Sequence, residues 1–323
     1  MPKTNAPRHG SMQFWPRKKA KKQSAPRLRN LQLNENIGLP IFAGYKAGMT
    51  HIQYLDNKKT SPLKGEIVNV PVTVIECPPI KIANVRFHKT DDYGTHCIGQ
   101  FNNKVEKEMS KRFPLQKKES KKLEDFNDFD KVTITVYTQP KLTGIGKKAP
   151  DLMEVELNGK DNNEKIEWIK NNLSKEIKIN EVFKEKIQVD IHGITRGRGY
   201  EGTTRRYNTP ERQAKSEKHK RGVGSLGPWL PLVRHTVLFP SRWGSHLRTE
   251  HNKQLVKISN ESDLVNPEGG FLKYGLVKND YILVHGSVPG KANKLIVLSN
   301  AKRENKYMNM IDNVKYISKK SKQ

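Results

Sequence analysis

Short runs that alternate apolar with polar residues, or are continuously apolar, recur along the chain and predict strands over 50–55, 66–77 and 80–87. Glycine and proline punctuate them. A different texture follows: helical spacing near 102–111, 117–129, 164–173 and 181–186, interrupted by strand patterns at 131–138 and 152–157. Ile166, Ile169 and Leu173 share one helix face with Trp168 beside them, which predicts a core tryptophan. Strand patterns then return at 187–191, 232–239, 255–258, 271–276, 281–284 and 295–298.

Many short strands flanking a mixed segment predict a mainly β fold with an α/β insertion. A small closed barrel suits such strands because closure removes exposed edges. The expected organisation is an extension over 1–38, the first part of the barrel over 39–101, the inserted subdomain over 102–186, and the second part over 187–300. A tail over 301–323 ends the chain.

One stretch breaks the pattern. Between Ile194 and Val223, twenty-eight residues run without Val, Ile, Leu, Met, Phe, Trp or Cys, so the segment is expected to bury nothing against an apolar neighbour. With its flanks it reads as a basic arm over about 195–231, its spacing fitting neither helix nor strand. An out-and-back extended path of that length reaches on the order of 50 Å, placing Trp229 at or near the tip.

Charge follows the same division. The formal net charge is +27, and three segments carry nearly all of it: +9 over 1–30, +10 over 192–258 and +5 over 302–323. The other 204 residues net +3. A nearly neutral body with basic appendages is the footprint of nucleic-acid binding, where phosphate neutralisation supplies most of the affinity. A hydrophobic content of 34% means that part of the chain contributes nothing to a core. No apolar run is long enough for a membrane helix and the N-terminus lacks the apolar stretch of a signal peptide, so a cytoplasmic protein without a membrane partner is expected.

The candidate RNA-binding residues are charged or aromatic. In the N-terminal extension they are Arg8, His9, Phe14, Trp15, Arg17, Lys18, Lys19, Lys21, Lys22, Arg27 and Arg29, with cations for phosphates and rings for bases. In the arm they are Arg196, Arg198, Tyr200, Arg205, Arg206, Tyr207, Arg212, Lys215, Lys218, His219, Lys220, Arg221 and Trp229. Beyond it follow Arg234, His235, Arg242, Trp243, His246 and Arg248; Lys46 is a further candidate. Gly197, Gly199, Gly202, Gly222, Gly224 and Gly227 are expected to allow close approach of backbone to backbone or phosphate.

Catalytic and cofactor patterns fail on context. Gly197, Gly199 and Gly202 match GxGxxG, but the following TTRRYNTPERQ lacks the apolar helix face that a dinucleotide fold requires. Cys77, His88, His96 and Cys97 lack paired metal-ligand spacing, and alternation places both cysteines among apolar neighbours. No nucleophile elbow or carboxylate pair is present. The expectation is no enzyme, no cofactor, no metal and no small-molecule substrate.

Six blocks carry a family resemblance in the family's order: APRHGSMQFWPRKKA from Ala6, AGYKAGMTHI from Ala43, HGITRGRGYEGTTRRY from His192, GSLGPWLP from Gly224, LRTEHNK from Leu247, and NPEGGFLKYGLVKNDYILVHGSVPG from Asn266. Together they resemble the universal large-subunit ribosomal protein number three in its archaeal and eukaryotic form. That resemblance implies a translation-protein-type β-barrel with an inserted α/β subdomain, bound to large-subunit rRNA and to neighbouring ribosomal proteins. It also implies a role early in subunit assembly, and a tail and finger directed at the peptidyl transferase centre with Trp229 closest to it. A free-standing RNA-binding or RNA-chaperone protein remains the alternative reading.

Overall fold

The computed structural model describes residues 10–22, 26, 28, 31, 33, 35–103, 107–112, 123, 126, 129–159, 161–216, 218–228, 232–233, 236–308 and 310–320. The chain divides into two compact units, one formed by 1–23 with 195–247, the other by 24–194 with 248–323.

The larger unit is mainly β. Its strands are β1 (Ile41–Leu55), β2 (Ile67–Glu76), β3 (Ile80–Asp91), β4 (Gly94–Asn102), β5 (Lys131–Thr138), β6 (Leu152–Glu156) and β7 (Gln188–Ile194). After the small unit, where β8 (Gly199–Glu201) and β9 (Ser241–Trp243) lie, come β10 (Leu247–Ser259), β11 (Tyr281–His285), β12 (Leu295–Asn300) and β13 (Val314–Ile317). Helix α1 covers Asn162–Asn172, α2 covers Ile179–Val182 and α3 covers Thr203–Tyr207.

The first sheet runs β12-β7-β10-β11-β2-β1-β13, and β12 also pairs with β1. Hydrogen-bonded neighbours therefore run round a circuit of six strands, with β13 added on β1. The second sheet runs β4-β3-β5-β6. It takes β3 and β4 from the region before residue 102 that was expected to belong to the first part of the barrel.

Strand formation follows side-chain alternation where one face is wet and continuous apolarity where both are covered. In β1 the run Ile41–Tyr45 is wholly buried, after which Thr50, Ile52 and Tyr54 point inward and alternate with half-exposed His51, Gln53 and Leu55. The two sheets meet at Tyr45. Its hydroxyl lies 2.8 Å from Thr138 Oγ1 on β5 and donates to Asp151 Oδ2 at 3.1 Å. Burial, followed by the Asp151 charge, pushes the Tyr45 phenol far above its ordinary pKa. Arg112 and Lys147 ion-pair with the fully buried Asp151 carboxylate, supplying the opposite charge that burial demands.

Several predicted elements take another form. Residues 271–276 make a tight turn closed by a Phe271–Gly275 bridge, not a strand, because Gly270 and Gly275 adopt positive φ. The described residues of 232–239 are turn or irregular. The helix expected over 181–186 spans Ile179–Val182 instead, and that near 102–111 reduces to a 3-10 turn at Lys107–Lys111, following a strand that the pattern did not reveal. Most of the helix expected over 117–129 lies outside the described residues. Trp168 is half-buried and packs on the core that holds Ile169. Cys77 is buried, but Cys97 is exposed, contrary to the apolar setting expected for it, because β4 is an edge strand.

Part of the expected C-terminal tail is integral to the first sheet. Ile317 of β13 pairs with Ile52, and Ile311 is buried while exchanging two hydrogen bonds with the Gln254 amide.

Candidate nucleic-acid interface

The smaller unit brings together most of the first basic segment and most of the second. Its 76 residues contain 18 Lys and Arg against 3 acids, a net charge of +15 out of +27.

Its base is a narrow antiparallel stem. Thr195 N–H donates to His246 O and Ser245 N–H to Thr195 O at 2.9 and 3.1 Å, Arg198 N–H donates to Trp243 O, and β8 pairs with β9. Gly244 makes the crossing possible. It has φ +81°, and a Cβ there would lie 2.1 Å from the Arg196 carbonyl oxygen. No signal beyond the glycine in RWGSH marks this residue in the sequence. Among the predicted glycines, Gly197 approaches the Ser245 hydroxyl, Gly199 and Gly227 have positive φ, Gly222 packs by His219, and Gly202 and Gly224 have open space around them.

The arm buries more than its composition implied. Thr203–Tyr207 forms α3, a helix of one turn and a half, in which Thr203 and Tyr207 are 2% and 7% exposed. Both the expected absence of a helix and the expected absence of burial are corrected here. The apolar partner is a tyrosine ring, and what covers it comes from the distant N-terminal segment. Arg17 and Arg206 place their guanidinium carbons 4.6 and 4.9 Å from the Tyr207 ring centre, and a Cβ on Gly10 would strike that ring at 2.5 Å.

Two further bonds fasten the N-terminal segment. Ala20 N–H donates to Ser245 O at 2.8 Å. His246 Nε2 accepts the Gly244 N–H at 3.1 Å, so Nδ1 carries the proton and donates to Lys18 O at 2.9 Å. His246 is only 5% exposed and serves as this internal strut, and Tyr207 as the post beside it; both were expected on the RNA-facing surface. Farther along, the chain reverses where Arg212 N–H donates to Lys220 O, Arg212 Nη2 donates to Val223 O, and Glu211 pairs with Arg221 and Lys220.

These contacts leave a dense exposed set. Phe14, Lys18, Lys19, Lys21, Lys22, Arg196, Arg198, Tyr200, Arg205, Arg212, Lys215, Lys218, His219, Lys220, Arg221 and Arg242 are exposed, and Trp15, Arg17, Arg206 and Trp243 are half-buried. Arg198 lies 4.4 Å from the Trp243 ring centre, which fixes a cation beside exposed Tyr200. Arg205 is partly neutralised by Glu201 at 3.3 Å. The Nε atoms of Arg17 and Arg206 are buried without a hydrogen-bond acceptor among the described residues. Arg8, His9, Arg27, Arg29, Trp229, Arg234 and His235 lie outside the described residues.

Two candidates belong to the larger unit. Arg248 is half-buried on β10. Lys46 is half-buried, and its ammonium donates to the Val288 and Gly290 carbonyls at 2.8 and 3.4 Å, while burial lowers its pKa. Those bonds hold the loop after β11.

Comparison with known proteins places the whole sequence in one family. The family model described as ribosomal protein L3 matches residues 1–323. A relative from Archaeoglobus fulgidus, named large ribosomal subunit protein uL3, is 42% identical over 331 residues, covering 99% of each chain. Relatives of the same name from Methanocaldococcus jannaschii and Methanosphaera stadtmanae are each 38% identical, covering 99% and 100% of this chain and 98% and 99% of their own.

Proposed function

Since the chain belongs to the ribosomal protein L3 family, we propose that it is a structural constituent of the cytoplasmic large ribosomal subunit, bound to large-subunit rRNA and neighbouring proteins. The observation that carries this reading is the concentration of +15 in a 76-residue unit whose described part presents exposed cations interleaved with rings. Such a surface repels itself until a polyanion neutralises it.

Within that reading the small unit is the RNA-penetrating element and the strand circuit of the larger unit is its anchor. Arg196, Arg198, Arg212, Lys215, Lys218, Lys220, Arg221 and the exposed lysines at 18, 19, 21 and 22 engage phosphates, and Phe14 and Tyr200 stack on bases. Trp229 approaches the peptidyl transferase centre, the protein acts early in assembly, and it performs no catalysis of its own.

Sedimentation after graded salt washes tests the reading. The chain should remain with the large subunit well above physiological ionic strength. Release near 0.15 M salt would show a peripheral RNA-binding protein instead. Trp229→Ala should leave incorporation intact and alter sensitivity to drugs that act at the catalytic centre.

A further inference from the structure

The larger unit carries an apolar knob on a rigid turn, remote in sequence from the basic segments. Leu272 and Leu276 are 61% and 51% exposed, and Leu142 is 42% exposed. The segments that carry them adjoin: Asn279 Nδ2 donates to Leu142 O at 3.1 Å, and a Cβ on Gly144 would lie 3.5 Å from Leu276 O. A scattered exposed leucine needs no explanation, but three on adjoining segments form a patch.

The turn presenting them is held from inside. The buried Glu76 carboxylate accepts from Tyr274 Oη, from Lys278 N–H at 2.8 Å, and from Asn279 N–H and Nδ2 at 2.9 and 2.7 Å. Asn266 exchanges two 2.9 Å bonds with the Val277 backbone. Phe271 and Gly275 bond to each other twice, and Phe271, Tyr274 and Val277 are buried. With the inward residues so firmly placed, the outward leucines are pre-ordered, and docking on them costs little further entropy.

We propose that Leu142, Leu272 and Leu276 form a protein-docking knob whose partner is a segment with an apolar face bordered by carboxylates. Charge complementarity selects this occupant. Lys141, Lys273 and Lys278 flank the three leucines and are exposed, and of these Lys141 already takes a carboxylate, Glu108, at 2.8 Å. RNA suits the patch poorly, since phosphates and bases are bound by cations and flat rings, and leucine offers neither. The inference rests on the ribosomal reading for its setting and deepens it by naming which surface meets a neighbouring protein.

Photo-crosslinking in purified large subunits tests it, with benzoylphenylalanine at Leu272 or Leu276. The expected product is a crosslink to a protein peptide containing carboxylates. With the photoreactive residue at Leu142, the double change Leu272→Glu and Leu276→Glu should lower crosslink yield by about tenfold, with the melting temperature of the free chain unchanged because both side chains are exposed. Crosslinks to rRNA, to a second copy of the chain, or to nothing would overturn the knob while leaving the ribosomal reading intact. Absence of the chain from large subunits would overturn both.

Discussion

Arg17 holds its guanidinium carbon 4.6 Å from the centre of the Tyr207 ring, so the N-terminal segment is clasped by a residue of the central arm. The two basic segments are thus parts of one folded unit. The ring is the joint, and its removal should free the segment. Tyr207→Ala should destabilise the small unit by about 3–5 kcal/mol, the range for deleting a buried aromatic ring. Tyr207→Phe, which keeps the ring, should be nearly silent. Trypsin cleavage at Lys18, Lys19, Lys21 and Lys22 reads the difference: rapid in the alanine variant, slow in the phenylalanine variant and the parent.

The stem offers a sharper test. Gly244 combines φ +81° with an Arg196 carbonyl where a Cβ would stand. Gly244→Ala should therefore cost about 2 kcal/mol or more locally, since strain and collision act together. Hydrogen exchange at the Arg198 and Ser245 amides should accelerate, with the β1 and β2 amides unchanged. Unaltered exchange throughout the stem would mean that the crossing relaxes without cost.

How far the sequence speaks depends on whether an element's partners are local. The second half of β1 and most of β5 were legible because alternation within a few residues decides which face is buried, and β12 was legible as a short, continuously apolar run. The basic character of the arm was legible from its composition, but Tyr207 was taken for a surface ring because two of the residues that cover it, Gly10 and Arg17, are remote in the chain. The internal bonds of His246 and Lys46 were hidden for the same reason. The carbonyls that accept their protons, Lys18 for His246 and Val288 and Gly290 for Lys46, are more than two hundred residues away in the chain. The strand around Tyr316 was hidden by flanking lysines.

Two histidines of the larger unit should make stability depend on pH. His192 bridges Thr249 and Ser299 hydroxyls at 3.0 Å each, and its pKa is lowered, first by burial. Burial also lowers His285, with Lys253 adding to the effect. A folded pKa below the unfolded value of about 6.5 means that the unfolded chain binds more protons just below that pH. This contribution is complete above about pH 6.5 and is lost as pH falls toward the folded pKa. Denaturant midpoints should decline from pH 7.5 to 5.5, and His192→Gln should flatten the decline. An identical slope in the variant would show that His192 has the same pKa folded and unfolded.

Lys46 and the exposed lysines at 18, 19, 21 and 22 should separate stability from RNA affinity. Lys46→Met removes a half-buried ammonium from two carbonyls, so the larger unit should lose about 1–3 kcal/mol, read from its denaturation midpoint. Its salt dependence of binding to large-subunit rRNA should not change, because the charge removed faces protein. Lys18→Gln and Lys19→Gln together should do the reverse, leaving the midpoint unaltered. Each lost phosphate contact should lower the slope of log affinity against log salt by about 0.7–0.9. A lower slope for Lys46→Met, with no loss of stability, would return Lys46 to the RNA surface and show that its carbonyl bonds give way when RNA binds.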